Sequence, residues 1–146
     1  MRILFITASY LPTANGVTYH ISSTAQALRK LGHRVYIFAP SFPGYKDEDK
    51  YVIRYPSFPN PFIKKYPLGL PFNPMRKVKK LNIDIIHTHH PFVIGQVAYQ
   101  LAEKLAKPLF FTAHTQYEQY LNYYFPHGYN LTSKIIVNDL KKMSKY

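Results

Sequence analysis

Apolar residues fall into two patterns that alternate along this chain. Short, nearly continuous apolar runs occur at Ile3 to Thr7, Val35 to Ala39, Ile83 to His87 and Leu109 to Thr112. Runs of this length without polar alternation have the character of strands buried on both faces. Between them, apolar positions recur at helical spacing: Val17, Ile21, Ala25, Leu28 and Leu31, then Ile94, Val97, Ala98, Leu101 and Leu105. Gly32 is placed to end the first helix, Pro40 to stop the second strand and Pro108 to open the last. Tyr51 to Arg54 is a candidate third strand. Strand and helix in alternation predict an α/β fold with a doubly wound, Rossmann-like parallel sheet.

From Pro56 to Pro74 the pattern breaks, with Pro56, Pro59, Pro61, Pro67, Pro71 and Pro74 fixing the backbone repeatedly. Such a stretch forbids a regular helix or an interior strand and predicts a long loop. A short basic helix is expected from Met75 to Leu81. A basic amphipathic helix is expected from Ser133 to Met143, with Ile136, Leu140 and Met143 on one face and no strand after it. The expectation is one domain over residues 1–146 that is a truncated part of a larger protein.

The chain has no cysteine, which removes disulfides, thiolate metal sites and cysteine nucleophiles and fits a reducing, cytoplasmic location. No apolar run approaches the roughly 20 residues needed to span a bilayer. The net charge is +12, which calls for an anionic partner. The charge is concentrated: between Tyr51 and Lys80 there is no acid, yet Arg54, Lys64, Lys65, Arg76, Lys77, Lys79 and Lys80 are present. Tyr51, Tyr55, Phe58, Phe62, Tyr66 and Phe72 are interleaved with them. Bases mixed with rings suit an anionic membrane surface, where cations meet lipid phosphates. The same mixture suits single-stranded nucleic acid. It is also compatible with a solvated loop whose rings pack on the domain.

Candidate chemistry sits after the strands, because ligands of a parallel sheet bind at the carboxyl ends of its strands. The turn ASYLPTANGV after the first strand is neither GxGxxG nor a Walker loop, which weakens dinucleotide and P-loop readings. Gly16 at a helix start can still admit a phosphate to free amides, or can be an ordinary turn residue. His87, His89, His90 and His114 are expected on one rim. Alternation sends His87 and His89 to one side and His90 to the other, and no carboxylate lies near them in sequence, which argues against a metal. His114 can hydrogen-bond a substrate, carry a proton or simply close a strand end. Paired carboxylates for acid–base work are missing: Asp84 lies at a strand start, Asp47, Glu48 and Asp49 form a surface run, and only Glu118 is near the rim. Ser9 lacks the flanking glycines of a nucleophile elbow.

Four segments, RILFITASYLPTANGVTYHI, LGHRVYIFAP, DIIHTHHPFVIG and PLFFTAHTQYEQYLNYY, resemble the amino-terminal domain of family 4 glycosyltransferases. Among these the signatures HTHHPF and TAHTQYEQY look most like enzymes that glycosylate diacylglycerol or phosphatidylinositol. The resemblance implies the amino-terminal half of a two-domain GT-B fold, retention of anomeric configuration, and no metal or other cofactor. It implies a UDP- or GDP-linked sugar donor held mainly by a carboxyl-terminal domain, a lipid acceptor, and a cytoplasmic enzyme peripheral on the inner face of the membrane. By the same resemblance Asn15 and Gly16 would approach the donor phosphates and His114 would be the catalytic contact to the transferred sugar. His20, His87, His89, His90, Phe92 and Tyr117 would bind the acceptor. Lys64, Lys65, Arg76, Lys77, Lys79 and Lys80 would hold the anionic membrane, with no nucleic acid partner. Two other readings compete: a non-catalytic basic module for nucleic acid explains the charge but not the rim, and a nucleotide-cofactor enzyme explains the fold but lacks a glycine fingerprint.

Overall fold

A computed structural model of the chain describes residues 1–61, 66–70, 75–91 and 93–114, with the backbone alone at residues 75 and 76. Its elements are β1 (Arg2–Ile6), α1 (Gly16–Lys30), β2 (Arg34–Pro40), β3 (Val52–Tyr55), β4 (Ser57–Phe58), β5 (Leu68–Gly69), α2 (Met75–Val78), β6 (Ile85–Thr88), α3 (Val93–Leu105) and β7 (Leu109–Phe111). The main sheet runs β3-β2-β1-β6-β7, and every neighbouring pair in it is parallel.

The alternation of β1 explains the two helical layers. Ile3 and Phe5 project to one face and join Ile21 and Ala25 of α1 with Val35 and Ile37. Leu4 and Ile6 project to the other and join Ile94, Ala98 and Leu101 of α3 with Phe38 and Ile86. With a helix layer on each face, the sheet is doubly wound and Rossmann-like, as expected. From β1 the chain crosses outward to β2, and from β6 it crosses the opposite way to β7. The crevice between the carboxyl ends of β1 and β6 is therefore a topological switch point, the place where open α/β sheets bind ligands.

The helix punctuation is as the sequence predicts. Gly32 has a φ of +84°, and its amide bonds to Arg29 O while the next amide, of His33, bonds to Leu28 O. This is a Schellman end, and it needs a residue that tolerates left-handed backbone. Pro40 belongs to β2 as its last residue rather than standing beyond it, because a missing N–H costs nothing at a strand end. The proline-rich segment contains no interior strand among its described residues. It does carry a small antiparallel ribbon, β4 with β5, separate from the main sheet. Gly69 lies so close to the Tyr55 ring that an added Cβ would come within 2.4 Å of it, so the ribbon is seated directly on β3. The basic helix is α2 followed by a 3₁₀ turn, Lys79–Leu81.

Arg54 differs from its expected place in a basic membrane-facing segment. Its guanidinium grips both oxygens of Asp47, at 2.6 and 2.8 Å, and also donates to the carbonyls of Leu11 and Pro40. Asp47 and Asp49 are likewise not a free surface run, since Asp49 pairs with Arg29 at 2.7 Å. Tyr55 is buried and Tyr51 packs beside Arg29, so these rings belong to the domain itself. Arg54→Ala should destabilise the chain by about 2–3 kcal/mol, because it strands a mostly buried carboxylate and two carbonyls while some water can still reach them. Urea unfolding checks this; exposed Arg34→Ala is the control, expected within about 0.5 kcal/mol of the parent. Equal effects of the two changes would contradict the assignment.

Candidate functional site

The site is built on the residues that follow β1. Thr7 Oγ1 donates to Ser9 O and accepts from Ser9 N–H, folding the chain sharply at the strand end. Tyr55 donates its hydroxyl hydrogen to Thr7 O at 2.9 Å, and Ala8 N–H donates to His90 Nδ1 at 3.2 Å. Asn15 caps α1: its Oδ1 accepts from Thr18 N–H at 2.8 Å, while its Nδ2 donates to Ser9 Oγ at 2.9 Å. These contacts leave the amides of Gly16 and Val17 without a partner among the described residues, as the first turn of a helix does. No heavy atom lies within 4 Å of where a Gly16 Cβ would stand. The chain's own packing therefore makes no demand for glycine there, and the open space suits an anion at the positive end of the helix dipole.

Histidines form the facing wall. His87 and His89 leave β6 on the same side, stacked at 4.3 Å, with their rings edge-on to Phe5 at 5.2 and 5.0 Å. His87 Nε2 bonds to Thr112 Oγ1 at 2.7 Å. His114, after β7, stacks on His89 at 5.3 Å and brings its Nε2 within 3.1 Å of His89 Nδ1. His20 comes from the exposed side of α1 and lies 4.9 Å from the His114 ring, centre to centre.

Burial keeps the rings of His87, His89, His90 and His114 neutral. Burial, helped by repulsion from His20 and His114, holds His87 down at about 4. His89 is lower still, through burial and then its histidine neighbours. Burial and then His114 hold His90 at about 4, and His114 itself is lowered by burial and by His20. A neutral imidazole at the rim can accept a hydrogen bond on one nitrogen and donate on the other.

A cleft of about 750 Å³ opens between the turn and this wall, lined by Ser9, Asn15, Gly16, His90 and His114 and bordered by Tyr66 and by Leu68 of the ribbon strand β5. A second cavity, of about 620 Å³, lies at the other end of the sheet among Met1, Arg2, Arg34 and Asp84. It faces the amino ends of the strands, so the rim cleft is the candidate site. Residues 14–144 match the family described as Glycosyltransferase Family 4. This chain belongs to glycosyltransferase family 4. It is 33% identical over 135 residues to an alpha-monoglucosyldiacylglycerol synthase of Acholeplasma laidlawii, covering 84% of this chain and 32% of the relative. It is 32% identical over 114 residues to a GDP-mannose-dependent alpha-mannosyltransferase of Corynebacterium glutamicum, covering 74% and 28%. It is 30% identical over 156 residues to a phosphatidyl-myo-inositol mannosyltransferase of Mycolicibacterium smegmatis, covering 97% and 39%. The chain thus spans about a third of the length of these curated relatives.

In this family 4 chain the expected site residues are distributed unevenly. Gly16, His20 and His114 have free surface around the cleft, whereas the Asn15 side chain is occupied as a helix cap. His90 lines the cleft on the turn side, away from His87 and His89, with its Nδ1 taken by Ala8. His89 has no exposed surface and His87 is bonded to Thr112, so both stand behind His114 rather than in front of it. Phe92, Tyr117 and Glu118 lie outside the described residues, as do Phe62, Lys64, Lys65, Phe72, the Arg76 side chain and the tail from Ser133 to Met143. Lys79 and Lys80 are exposed, and Lys77 donates to Arg54 O at 3.2 Å. Thr7, Ser9 and Tyr55, which brace the turn, carry no local sequence signal beyond their place at strand ends. Strand alternation and the lack of a carboxylate nearby in sequence speak against a metal, yet in space ring nitrogens of His20, His89 and His114 lie within 4.8 Å of one another.

Proposed function

We propose that this chain is the amino-terminal, acceptor-binding domain of a retaining GT-B glycosyltransferase that moves a sugar from a UDP- or GDP-linked donor to a membrane lipid such as diacylglycerol or phosphatidylinositol. The observation that carries this reading is the juxtaposition, across one cleft at the switch point, of free helix-terminal amides at Gly16 and Val17 with the neutral imidazole of His114. The glycolipid-synthesising names of its relatives support the acceptor class.

On this reading the amides of Gly16 and Val17 and the dipole of α1 hold the donor diphosphate and stabilise the charge that grows as the sugar–phosphate bond breaks. The acceptor hydroxyl forms the new bond to the same sugar carbon, from the same face, and its proton passes to the departing phosphate. His114 hydrogen-bonds the transferred sugar and fixes its orientation. His20 stands at the acceptor mouth. His90 holds the turn through Ala8, and His87 and His89 support His114 from behind. A carboxyl-terminal domain supplies most of the donor site. Lys77, Lys79 and Lys80, with exposed Phe58, form the surface that meets the inner face of the membrane. Among the described residues no helix is long and apolar enough to cross a membrane.

The test is transfer by the full-length protein from a panel of nucleotide sugars to lipid in vesicles or to soluble acceptors. Transfer to lipid with retained anomeric configuration is expected; transfer only to soluble acceptors, or with inversion, would overturn the reading. Vesicle co-sedimentation complements it. Each lysine near an anionic surface contributes about 1 kcal/mol, screened over roughly 10 Å at 0.1 M salt. Binding should therefore fall steeply with salt and be weakened by Lys79→Glu with Lys80→Glu. Tight binding to single-stranded RNA with none to anionic vesicles would favour a nucleic acid module instead.

A further inference from the structure

Three imidazoles reach one point from three elements: His20 from α1, His89 from the end of β6, and His114 from the segment after β7. One ring nitrogen of each lies within 4.8 Å of the others. His89 Nδ1 and His114 Nε2 are already 3.1 Å apart. Two nitrogens on one tetrahedral zinc ion, each at about 2.0–2.1 Å from it, stand about 3.3 Å from one another. The pair therefore has the spacing of two ligands before any movement. His20 needs to bring its nitrogen inward by on the order of 1 Å, and its exposed side chain has the rotamers to do so.

His89 faces His114 through its Nδ1. The residue is fully buried, and its Nε2 has no hydrogen-bond partner among the described residues. Binding through Nδ1 keeps the proton on this Nε2, so the neutral ring can meet an ion without giving up any hydrogen bond at Nε2.

We propose that His20, His89 and His114 form a binding site for a borderline divalent cation of the zinc class, with its fourth position open to the cleft. The donor set is all imidazole nitrogen, which suits Zn²⁺, Ni²⁺ and Cu²⁺ and leaves Mg²⁺, an oxygen-seeking ion, unbound. Resting on the function proposed above, an ion held between His20 and His114 stands at the rim where His114 meets the sugar and His20 the acceptor, so it inhibits transfer.

The experiment is titration of the chain with Co²⁺, followed by displacement with Zn²⁺. One equivalent of Co²⁺ should give the intense visible absorption of a tetrahedral complex, abolished by Zn²⁺ and untouched by excess Mg²⁺. His20→Ala changes an exposed residue and leaves the fold intact; it should weaken Zn²⁺ binding by tenfold or more. His33→Ala should change nothing, although that ring lies 3.3 Å from the Met1 amine and offers a rival pair of nitrogens. No tetrahedral absorption, equal affinity in His20→Ala, or loss in His33→Ala instead would each overturn the site. In the full-length enzyme, Zn²⁺ at site-filling concentrations should stop transfer, and a chelator should restore it. Filling the site spectroscopically with transfer unchanged would refute the inhibitory role, a result independent of whether the ion binds.

Discussion

His114→Ala in the full-length protein should lower turnover by roughly 100- to 1,000-fold while acceptor binding and the circular dichroism of the fold stay as they were. The figure follows from removing a hydrogen bond that is strongest in the transition state, worth about 2.7–4 kcal/mol in comparable sites. The ring is only partly buried and follows β7 rather than lying in its core, so its loss opens no cavity in the sheet. His33→Ala, at the opposite end of the sheet, is the control and should leave turnover unchanged. Turnover within twofold of the parent for His114→Ala would reduce the residue to a structural role.

The second large effect is on stability in acid. His87 and His90 hold folded values of about 4, against an ordinary value of about 6.5 for an exposed histidine. Between those limits the unfolded chain binds more protons than the folded one, so stability falls as pH falls. The contribution is complete above pH about 6.5 and is lost progressively towards about 4, with each such group adding up to about 1.4 kcal/mol per pH unit to the slope. Urea midpoints measured from pH 7.5 down to 4.5, with a chelator present, should therefore drop well before most carboxylates titrate. His90→Asn keeps an acceptor for Ala8 N–H but cannot take up a proton, and it should flatten the slope. A midpoint constant across that range, or a slope unchanged by His90→Asn, would contradict the burial and pairing of these rings.

Which parts of this were legible in the sequence follows from the range of the signals. The buried strands and amphipathic helices announce themselves within a few residues, because apolar runs and helical spacing are local patterns. The left-handed end at Gly32 is equally local. Alternation along one strand was enough to part His90 from His87 and His89. The β4–β5 ribbon was not legible, since paired strands of two residues carry no period. Arg54 reads as a free base in the acid-free stretch from Tyr51 to Lys80, because its partner Asp47 lies just upstream of that stretch. The meeting of His20 with His89 and His114 needs three crossovers of the chain, and no spacing rule in one dimension encodes it.

The most direct test of the central claim is nuclear magnetic resonance of the full-length protein with labelled amides and histidine rings, titrated with its nucleotide sugar. The account predicts that the Gly16 and Val17 amides and the His114 ring shift together and saturate at one concentration, while His33 and Arg34 at the other end of the sheet remain still. Shifts confined to the Met1–Arg34 end, with Gly16 and His114 unmoved, would contradict it.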